Sequence, residues 1–188
     1  MTPIVLFLLA IMAAVVVVAV WAVGIYNGLV RLRNQVKNAW SQIDVQLKRR
    51  HDLIPNLVET VKGYAGHEKQ TLENVTQART RAVSATGVEA QGQAEGELSS
   101  ALGRLMVVVE QYPDLKANQN FLALQEELTS TENRIGFSRQ HYNDEVMTYN
   151  TRIQSFPQNI IAGMFSFVKE AFFEIQDEKA REVPKVQF

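Results

Sequence analysis

The chain has 188 residues, a formal net charge of −1 and no cysteine, and 46% of its residues are hydrophobic. This length suits one domain with a sizeable core, in addition to a membrane-spanning segment. The lack of cysteine excludes a lipid-modified cysteine at the N-terminus and a thiol nucleophile. Basic residues alternate with acidic ones, which argues against a nucleic-acid-binding surface.

An uncharged, strongly apolar run extends from Pro3 to Ile25. About 20 helical residues cross the hydrocarbon core of a bilayer, so this run predicts a transmembrane anchor over residues 1–26 that contacts lipid through residues 3–25. Trp21 and Tyr26 have rings that favour the lipid–water interface. A cleaved signal peptide is the alternative, but only Met1 and Thr2 precede the run and neither is basic.

The charges beside the anchor predict its orientation in a single-pass cell-membrane protein. Arg31, Arg33 and Lys37 follow the run, whereas no basic residue precedes it. By the positive-inside rule, the N-terminus lies outside and the rest of the protein lies in the cytoplasm.

Apolar residues at steps of three or four predict a long helix from Asn27 to about Val83, with Pro55 inside it and Gly63 and Gly66 weakening it. Its predicted buried face comprises Val36, Trp40, Ile43, Leu47, Ile54, Leu57 or Val58, Val61, Leu72, Val75 and Val83. The small and polar residues of 84–96 predict a loop that merges into the start of the next helix.

A second helix is predicted through Leu98, Leu102 and Leu105, ending before Pro113. A third begins near Asn118 or Asn120, with a coiled-coil-like face. That face comprises Phe121, Leu124, Leu128, Thr131, Ile135, Ser138, Tyr142, Val146, Tyr149 and Ile153.

Apolar and aromatic residues crowd into residues 160–175, too few to cross a bilayer. We expect a short helix that folds back to cap the bundle, or alternatively a surface for lipid or a partner protein. The fold prediction is therefore all-α, with a transmembrane helix followed by a long antiparallel bundle of three long helices and a short C-terminal helical segment. The bundle domain covers residues 27–175, and residues 176–188 form an extended tail.

Charge is divided unevenly along the chain. Residues 31–81 hold ten basic and five acidic residues, while the remainder carries a net charge of −6. This predicts two sections of opposite sign that pack side by side through surface ion pairs.

No complete catalytic or metal-binding set is found among the polar residues. His51 with Asp52, or His141 with Glu145, supplies two ligands where a catalytic zinc site needs three, and His67 lacks a second histidine. The carboxylates on the third helix are interpreted as solvated partners of neighbouring arginines. We therefore predict no catalytic residue, no metal ligand, no cofactor-binding residue and no cofactor. The carboxylates of the third helix that are interpreted as solvated are Glu126, Glu127, Glu132, Asp144 and Glu145, beside Arg134, Arg139 and Arg152.

One polar stretch is a candidate protein-interaction surface, with a plain solvated helix face as the alternative. It contains Asn38, Trp40, Gln42, Asp44, Lys48, Arg49, Arg50, Asp52 and Asn56.

The runs from Asn38 to Arg79 and from Tyr112 to Gly163, and the closing AREVPKVQF, closely resemble the LemA family. The resemblance implies a membrane-anchored protein with a short N-terminal leader and a long antiparallel helical bundle, and it implies no particular activity. Related proteins of magnetosome membranes suggest a role in membrane organisation or protein assembly.

The preferred function is a non-enzymatic scaffold or protein-interaction module at a bacterial-type cytoplasmic membrane, with unidentified protein partners and no nucleic acid. Self-association through small residues such as Ala10, Ala14, Gly24 and Gly28 is a further hypothesis. The alternatives are an accessory subunit of a membrane protease, or a membrane-remodelling module that uses the aromatic C-terminal segment.

Overall fold

The computed structural model describes residues 3–175, which form six helices and no strand. The helices are α1 (Pro3–Lys62), α2 (Lys69–Ser84), α3 (Val88–Val109), α4 (Pro113–Lys116), α5 (Gln119–Gln154) and α6 (Gln158–Met164). This confirms the predicted all-α helical bundle. The tail predicted over residues 176–188 lies outside the described residues.

The boundaries differ from the prediction in two places. The long helix predicted up to Val83 divides into α1 and α2 at the segment that contains Gly63 and Gly66, the two residues expected to weaken it. Glycine costs about 1 kcal/mol relative to alanine inside a helix, so the break falls where helix formation is least favourable. Pro55 stays within α1.

The prediction of a loop over residues 84–96 was largely wrong. Only residues 85–87 are non-helical there, and Gly87 adopts a φ of 89°, in the region that favours glycine. Helix α3 begins at Val88 and continues through Gly92 and Gly96, which are both buried. Tertiary packing of these small residues therefore overrides their poor helix propensity.

The described residues fall into two compact units. The first comprises residues up to Trp40 together with Asn143–Glu170, and the second comprises Ser41–Tyr142 together with the residues from Ala171 onward.

The second unit contains a hydrophobic core formed by the later part of α1, helices α2 to α4 and the start of α5. Each large side chain in such a core contributes about 1.5–3 kcal/mol relative to its exposed state. The core residues are Ile54, Leu57, Val61, Ala65, Leu72, Val75, Ala78, Ala82, Ala94, Leu98, Ala101, Leu105, Val109, Leu115 and Phe121.

The first unit buries side chains from three helices. They are Leu29, Val36 and Ala39 of α1, Val146, Tyr149 and Ile153 of α5, and Ile161 and Ala162 of α6. By contrast, residues 3–20 at the start of α1 are all exposed. Within the described part of the chain, α1 is the helix that is long and apolar enough to cross a membrane.

The predicted buried faces largely match the structure. On α5, Thr131, Ile135 and Tyr142 are fully buried, and the remaining residues of the predicted face are buried or half-buried. The exception on the first face is Val83, which is 57% exposed, while its neighbour Ala82 is buried. Within α2 the buried face continues from Leu72 and Val75 through Ala78 to Ala82, so the small alanines occupy positions that a pattern of large apolar residues does not include.

Candidate functional site

A cluster of charged side chains lies inside the second unit. Arg50 and His51 of α1 and Glu95 of α3 are all buried, and Glu95 has no exposed surface. Burying a charge is costly unless it is paired and hydrogen-bonded, so each partner in this cluster matters to the fold.

Both oxygens of the Glu95 carboxylate accept hydrogen bonds from neighbouring side chains. Its Oε1 atom accepts hydrogen bonds from His51 Nε2 at 2.7 Å and from Gln91 Nε2 at 2.9 Å. Its Oε2 atom accepts a hydrogen bond from Arg50 Nη1 at 3.2 Å. The same Gln91 amide donates to the Ala82 carbonyl at the end of α2. Glu95 therefore links α1, α2 and α3.

Arg50 makes a second contact with α3 and connects the cluster to α5. Its Nη2 atom donates to Ser99 Oγ at 2.7 Å, and its Nε atom lies 3.4 Å from Glu132 Oε2 on α5. A second link uses Arg79 of α2, whose Nε atom donates to the His51 carbonyl at 2.6 Å. Four helices of the second unit thus meet at this cluster.

The geometry of the cluster favours a structural role over catalysis. A general acid or base must reach a substrate proton, and both oxygens of Glu95 are already engaged by protein donors. Ser99 Oγ is held by the Arg50 guanidinium, which cannot accept its proton as a catalytic base would. What the arrangement can do is fix the register of the helices, since any slip would leave a buried charge unpaired.

The residues considered as metal ligands are dispersed. His51 is committed to Glu95, while His67 and His141 are exposed. Residues 3–175 contain no group of three histidine, aspartate or glutamate side chains placed to hold a metal ion.

The carboxylates of α5 have longer-range partners than the sequence indicated. The Arg49 Nη2 atom of α1 donates to both carboxylate oxygens of Glu127, at 2.7 and 3.0 Å, and Glu132 lies beside Arg50. Arg81 of α2 pairs with Glu97 of α3 at 2.8 Å. These pairs join the basic section 31–81 to acids from the rest of the chain, which confirms the predicted charge complementarity.

The candidate interaction stretch divides by burial. Arg50 lies in the core, and Arg49 is paired with Glu127. Asp44, Lys48 and Asp52, spaced one helical turn apart, are exposed on α1 within the second unit. Asn38, Gln42 and Asn56 of the stretch are exposed as well, so the candidate surface comprises these three polar residues and the three charged ones.

An open groove of about 720 Å³ lies between α2 and α3. Polar side chains such as Gln77, Gln93 and Arg104 line it, together with the half-exposed Arg81–Glu97 pair. A site for a small organic ligand is usually enclosed and mostly apolar, and this groove is open and mostly polar.

The first unit contains an aromatic contact at the end of the apolar run. The Tyr26 ring of α1 lies 4.7 Å from the Phe165 ring and 5.7 Å from the Phe167 ring, between centroids. Two helical turns after Tyr26, the Arg33 guanidinium lies 5.1 Å from the centre of the Phe167 ring. Contacts of this kind stabilise by roughly 0.5–1.5 kcal/mol each.

The segment after α6 is held by polar groups of α5 in the same unit. The Tyr149 hydroxyl donates to the Val168 carbonyl at 3.0 Å. The Asn150 side-chain amide donates to the Glu170 carbonyl at 2.9 Å and accepts from the Glu170 N–H at 3.0 Å. Burial raises the pKa of Tyr149 and the charge of Glu170 raises it further, while Arg33 opposes both.

Sequence patterns alone did not reveal Glu95, Gln91 or Ser99 as partners of Arg50. One signal was available, since Glu95 stands between Ala94 and Gly96, with Gly92 one turn earlier. A carboxylate among residues without bulky side chains is typical of close helix packing, but the same residues also predicted a loop.

Comparison with known proteins identifies the family of this chain. The family model described as LemA family matches residues 39–188. Protein LemA of Metamycoplasma hominis is 31% identical over 157 residues, which cover 82% of this chain and 71% of that protein.

Two further relatives are named as magnetosome proteins. Magnetosome protein MamQ 2 of Paramagnetospirillum magneticum is 28% identical over 185 residues, which cover 85% of this chain and 67% of that protein. Magnetosome protein MamQ of Magnetospirillum gryphiswaldense is 26% identical over 174 residues, which cover 79% of this chain and 64% of that protein. The chain belongs to the LemA family.

Proposed function

We propose that this protein is a non-enzymatic, membrane-anchored scaffold that presents a helical protein-interaction surface at a bacterial-type cytoplasmic membrane. The observation that carries the proposal is the contrast within α1. Its later part buries one face, whereas residues 3–20 are apolar on every side and exposed. A helix that is apolar all round and lacks protein partners is stable only in lipid.

The length of the run supports spanning. Residues 3–25 at 1.5 Å per residue give about 35 Å, slightly more than the roughly 30 Å thickness of the hydrocarbon core. A modest tilt accommodates the difference. Arg31, Arg33 and Lys37 after the run favour a cytoplasmic location for the bundle.

The lack of enzymatic activity is inferred from the polar groups of the second unit. Both oxygens of its buried carboxylate, Glu95, are engaged by protein donors, and its outer faces carry solvated charges. Membership of the LemA family and relatives named LemA and MamQ support a membrane-associated helical protein, to which the scaffold role is added by this proposal.

Site-specific photo-crosslinking in native membranes tests the scaffold role. A photoreactive amino acid is placed in the full-length protein at Asp44, Lys48 or Asp52, with Gln125 and Thr129 of α5 as exposed controls. We expect a discrete adduct with a second protein from the α1 positions and none from the controls. An adduct of twice the mass of the protein would identify self-association.

The proposal fails if none of the three α1 positions gives an adduct and the protein is recovered alone, as a monomer, from mild detergent. Adducts of equal yield from α1 and from the α5 controls would show random collision and would also contradict it.

A further inference from the structure

Helix α6 has two apolar faces, of which one is buried. Ile161 and Ala162 lie in the interior of the first unit, while Ile160 is 54% and Met164 is 72% exposed. Phe156 and Phe165, immediately before and after α6, are 80% and 55% exposed. We call Phe156, Ile160, Met164 and Phe165 the outer α6 face.

The outer α6 face is more apolar than a water-exposed helix face usually is. A surface helix of a soluble domain carries polar residues opposite its buried side. Four large apolar side chains that are exposed within residues 156–165 indicate a contact with lipid or with another protein.

The position of the face identifies which of these it contacts. Phe165 lies 4.7 Å from Tyr26, ring centre to ring centre, and Tyr26 directly follows the apolar run of α1. When residues 3–25 cross the bilayer, Tyr26 lies at the lipid–water interface. Phe165 is in direct contact with Tyr26, so the outer α6 face begins at the depth of the interface.

The segment that directly follows the outer α6 face is held in place by other side chains of the first unit. Phe167, two residues after Phe165, touches both Tyr26 and Arg33. Tyr149 and Asn150 bind the backbone of Val168 and Glu170. A surface that is already ordered loses little conformational entropy on binding, which favours insertion.

Charge near the face matches a membrane surface. Arg31 of α1 and Lys169 of the following segment are exposed. Basic side chains beside an apolar face are typical of interfacial segments, because they reach anionic headgroups while the apolar groups enter the acyl boundary.

We infer that the outer α6 face inserts into the lipid–water interface beside the anchor, on the side of the membrane that holds the bundle. The protein then has two attachments to one bilayer, a spanning helix and an interfacial segment. This inference rests on the proposed anchoring by residues 3–25 and adds a second lipid contact to it.

Spin-label accessibility in a bilayer tests the inference with the full-length protein. The chain has no cysteine, so Ile160→Cys and Met164→Cys each give a single labelling site. The variants are reconstituted in bilayer discs of mixed zwitterionic and anionic phospholipid. Collision rates are measured with oxygen, which concentrates in lipid, and with a neutral nickel chelate, which stays in water.

Two reference positions separate this inference from the anchoring. Val16→Cys lies in the apolar run, and Val107→Cys is an exposed apolar position of α3 in the second unit, 61% exposed. We expect the oxygen-to-nickel ratio at Ile160 and Met164 to be several-fold higher than at Val107 and to approach that at Val16.

Three results would overturn the inference. A water-like ratio at Ile160 and Met164, with a lipid-like ratio at Val16, refutes the interfacial contact and leaves the anchor intact. Low accessibility to both reagents at Ile160 and Met164 shows that a protein or a second copy of this chain covers the face instead. A water-like ratio at Val16 refutes the anchor and, with it, the contact that depends on it.

Discussion

Glu95 shows how one residue joins several helices of the second unit. Its carboxylate is buried and accepts hydrogen bonds from Arg50, His51 and Gln91. A buried ion pair gives little net stability against an apolar pair of the same size, but losing one partner leaves an uncompensated charge. The cluster therefore acts mainly by making alternative helix registers costly.

We predict that Glu95→Gln lowers the free energy of unfolding by about 3 kcal/mol, because Arg50 then lies buried without its principal counter-charge. Denaturant unfolding of the full-length protein in detergent, followed by circular dichroism, measures the change. Glu97→Gln on the same helix is the matched control, since its pair with Arg81 is about half exposed. That control should change stability by less than about 1 kcal/mol. Equal effects of the two substitutions would contradict the structural importance of the buried cluster.

Tyr149 gives a pH-dependent prediction. Burial and Glu170 raise its pKa above the ordinary value of 10.0, with Arg33 as the opposing charge. The folded protein therefore holds the phenolic proton more tightly than the unfolded chain does. Stability associated with neutral Tyr149 is complete below about pH 10 and is lost as the pH rises through the folded-state pKa.

The difference in tyrosinate absorbance between the unsubstituted protein and Tyr149→Phe, recorded during alkaline titration, isolates this residue. We expect a midpoint above that of free tyrosine, and a midpoint at or below it would contradict the burial. Tyr149→Phe also removes the hydrogen bond to the Val168 carbonyl, at a cost of about 1 kcal/mol near neutral pH.

At the scale of elements, α3 depends on close approach by another segment of the second unit. A Cβ atom added at Gly92 would collide with the backbone carbonyl of Glu174 and touch the Phe173 ring. Gly103, further along the same helix, has open space around the corresponding position. The two glycines therefore differ in packing while sharing a helical backbone.

We predict opposite effects of alanine at these two positions. Gly103→Ala should stabilise the protein by up to about 1 kcal/mol, through helix propensity alone. Gly92→Ala should destabilise it by roughly 1–3 kcal/mol, because the segment after Glu170 must move. Denaturation midpoints measure both changes. Stabilisation by both substitutions would show that the segment does not pack against Gly92.

Helical periodicity could be recognised from sequence wherever the helix was long and its apolar spacing regular. The buried face of α5 followed from steps of three and four, because burial on one side of a helix imposes that spacing. The start of α3 could not be recognised, since Gly92 and Gly96 weaken a helix locally and their benefit comes from distant contacts. The burial of Arg50 also could not be recognised. Its charge predicts an exposed side chain, and its buried partner Glu95 lies 45 residues away in the sequence.

At the scale of the whole molecule, the sequence predicted an apolar run followed by a polar domain. The structure divides the described residues differently, into two compact units. The first unit combines the apolar run with aromatic residues from the C-terminal segment. The second contains the charge cluster and the exposed α1 residues proposed for protein contact. The proposed scaffold would therefore carry its lipid-facing and partner-facing surfaces on different units.

The most direct test of the account is cysteine labelling along α1 with a membrane-impermeant maleimide in inside-out vesicles. Val16→Cys and Val20→Cys should stay unlabelled until detergent is added, because a thiol in hydrocarbon neither ionises nor meets the reagent. Gln35→Cys and Lys48→Cys, exposed positions beyond the apolar run, should be labelled in the intact vesicles. Labelling of Val16 and Val20 as fast as Gln35 in intact vesicles would contradict the anchor, and labelling of Gln35 and Lys48 only in right-side-out vesicles would place the bundle on the opposite side.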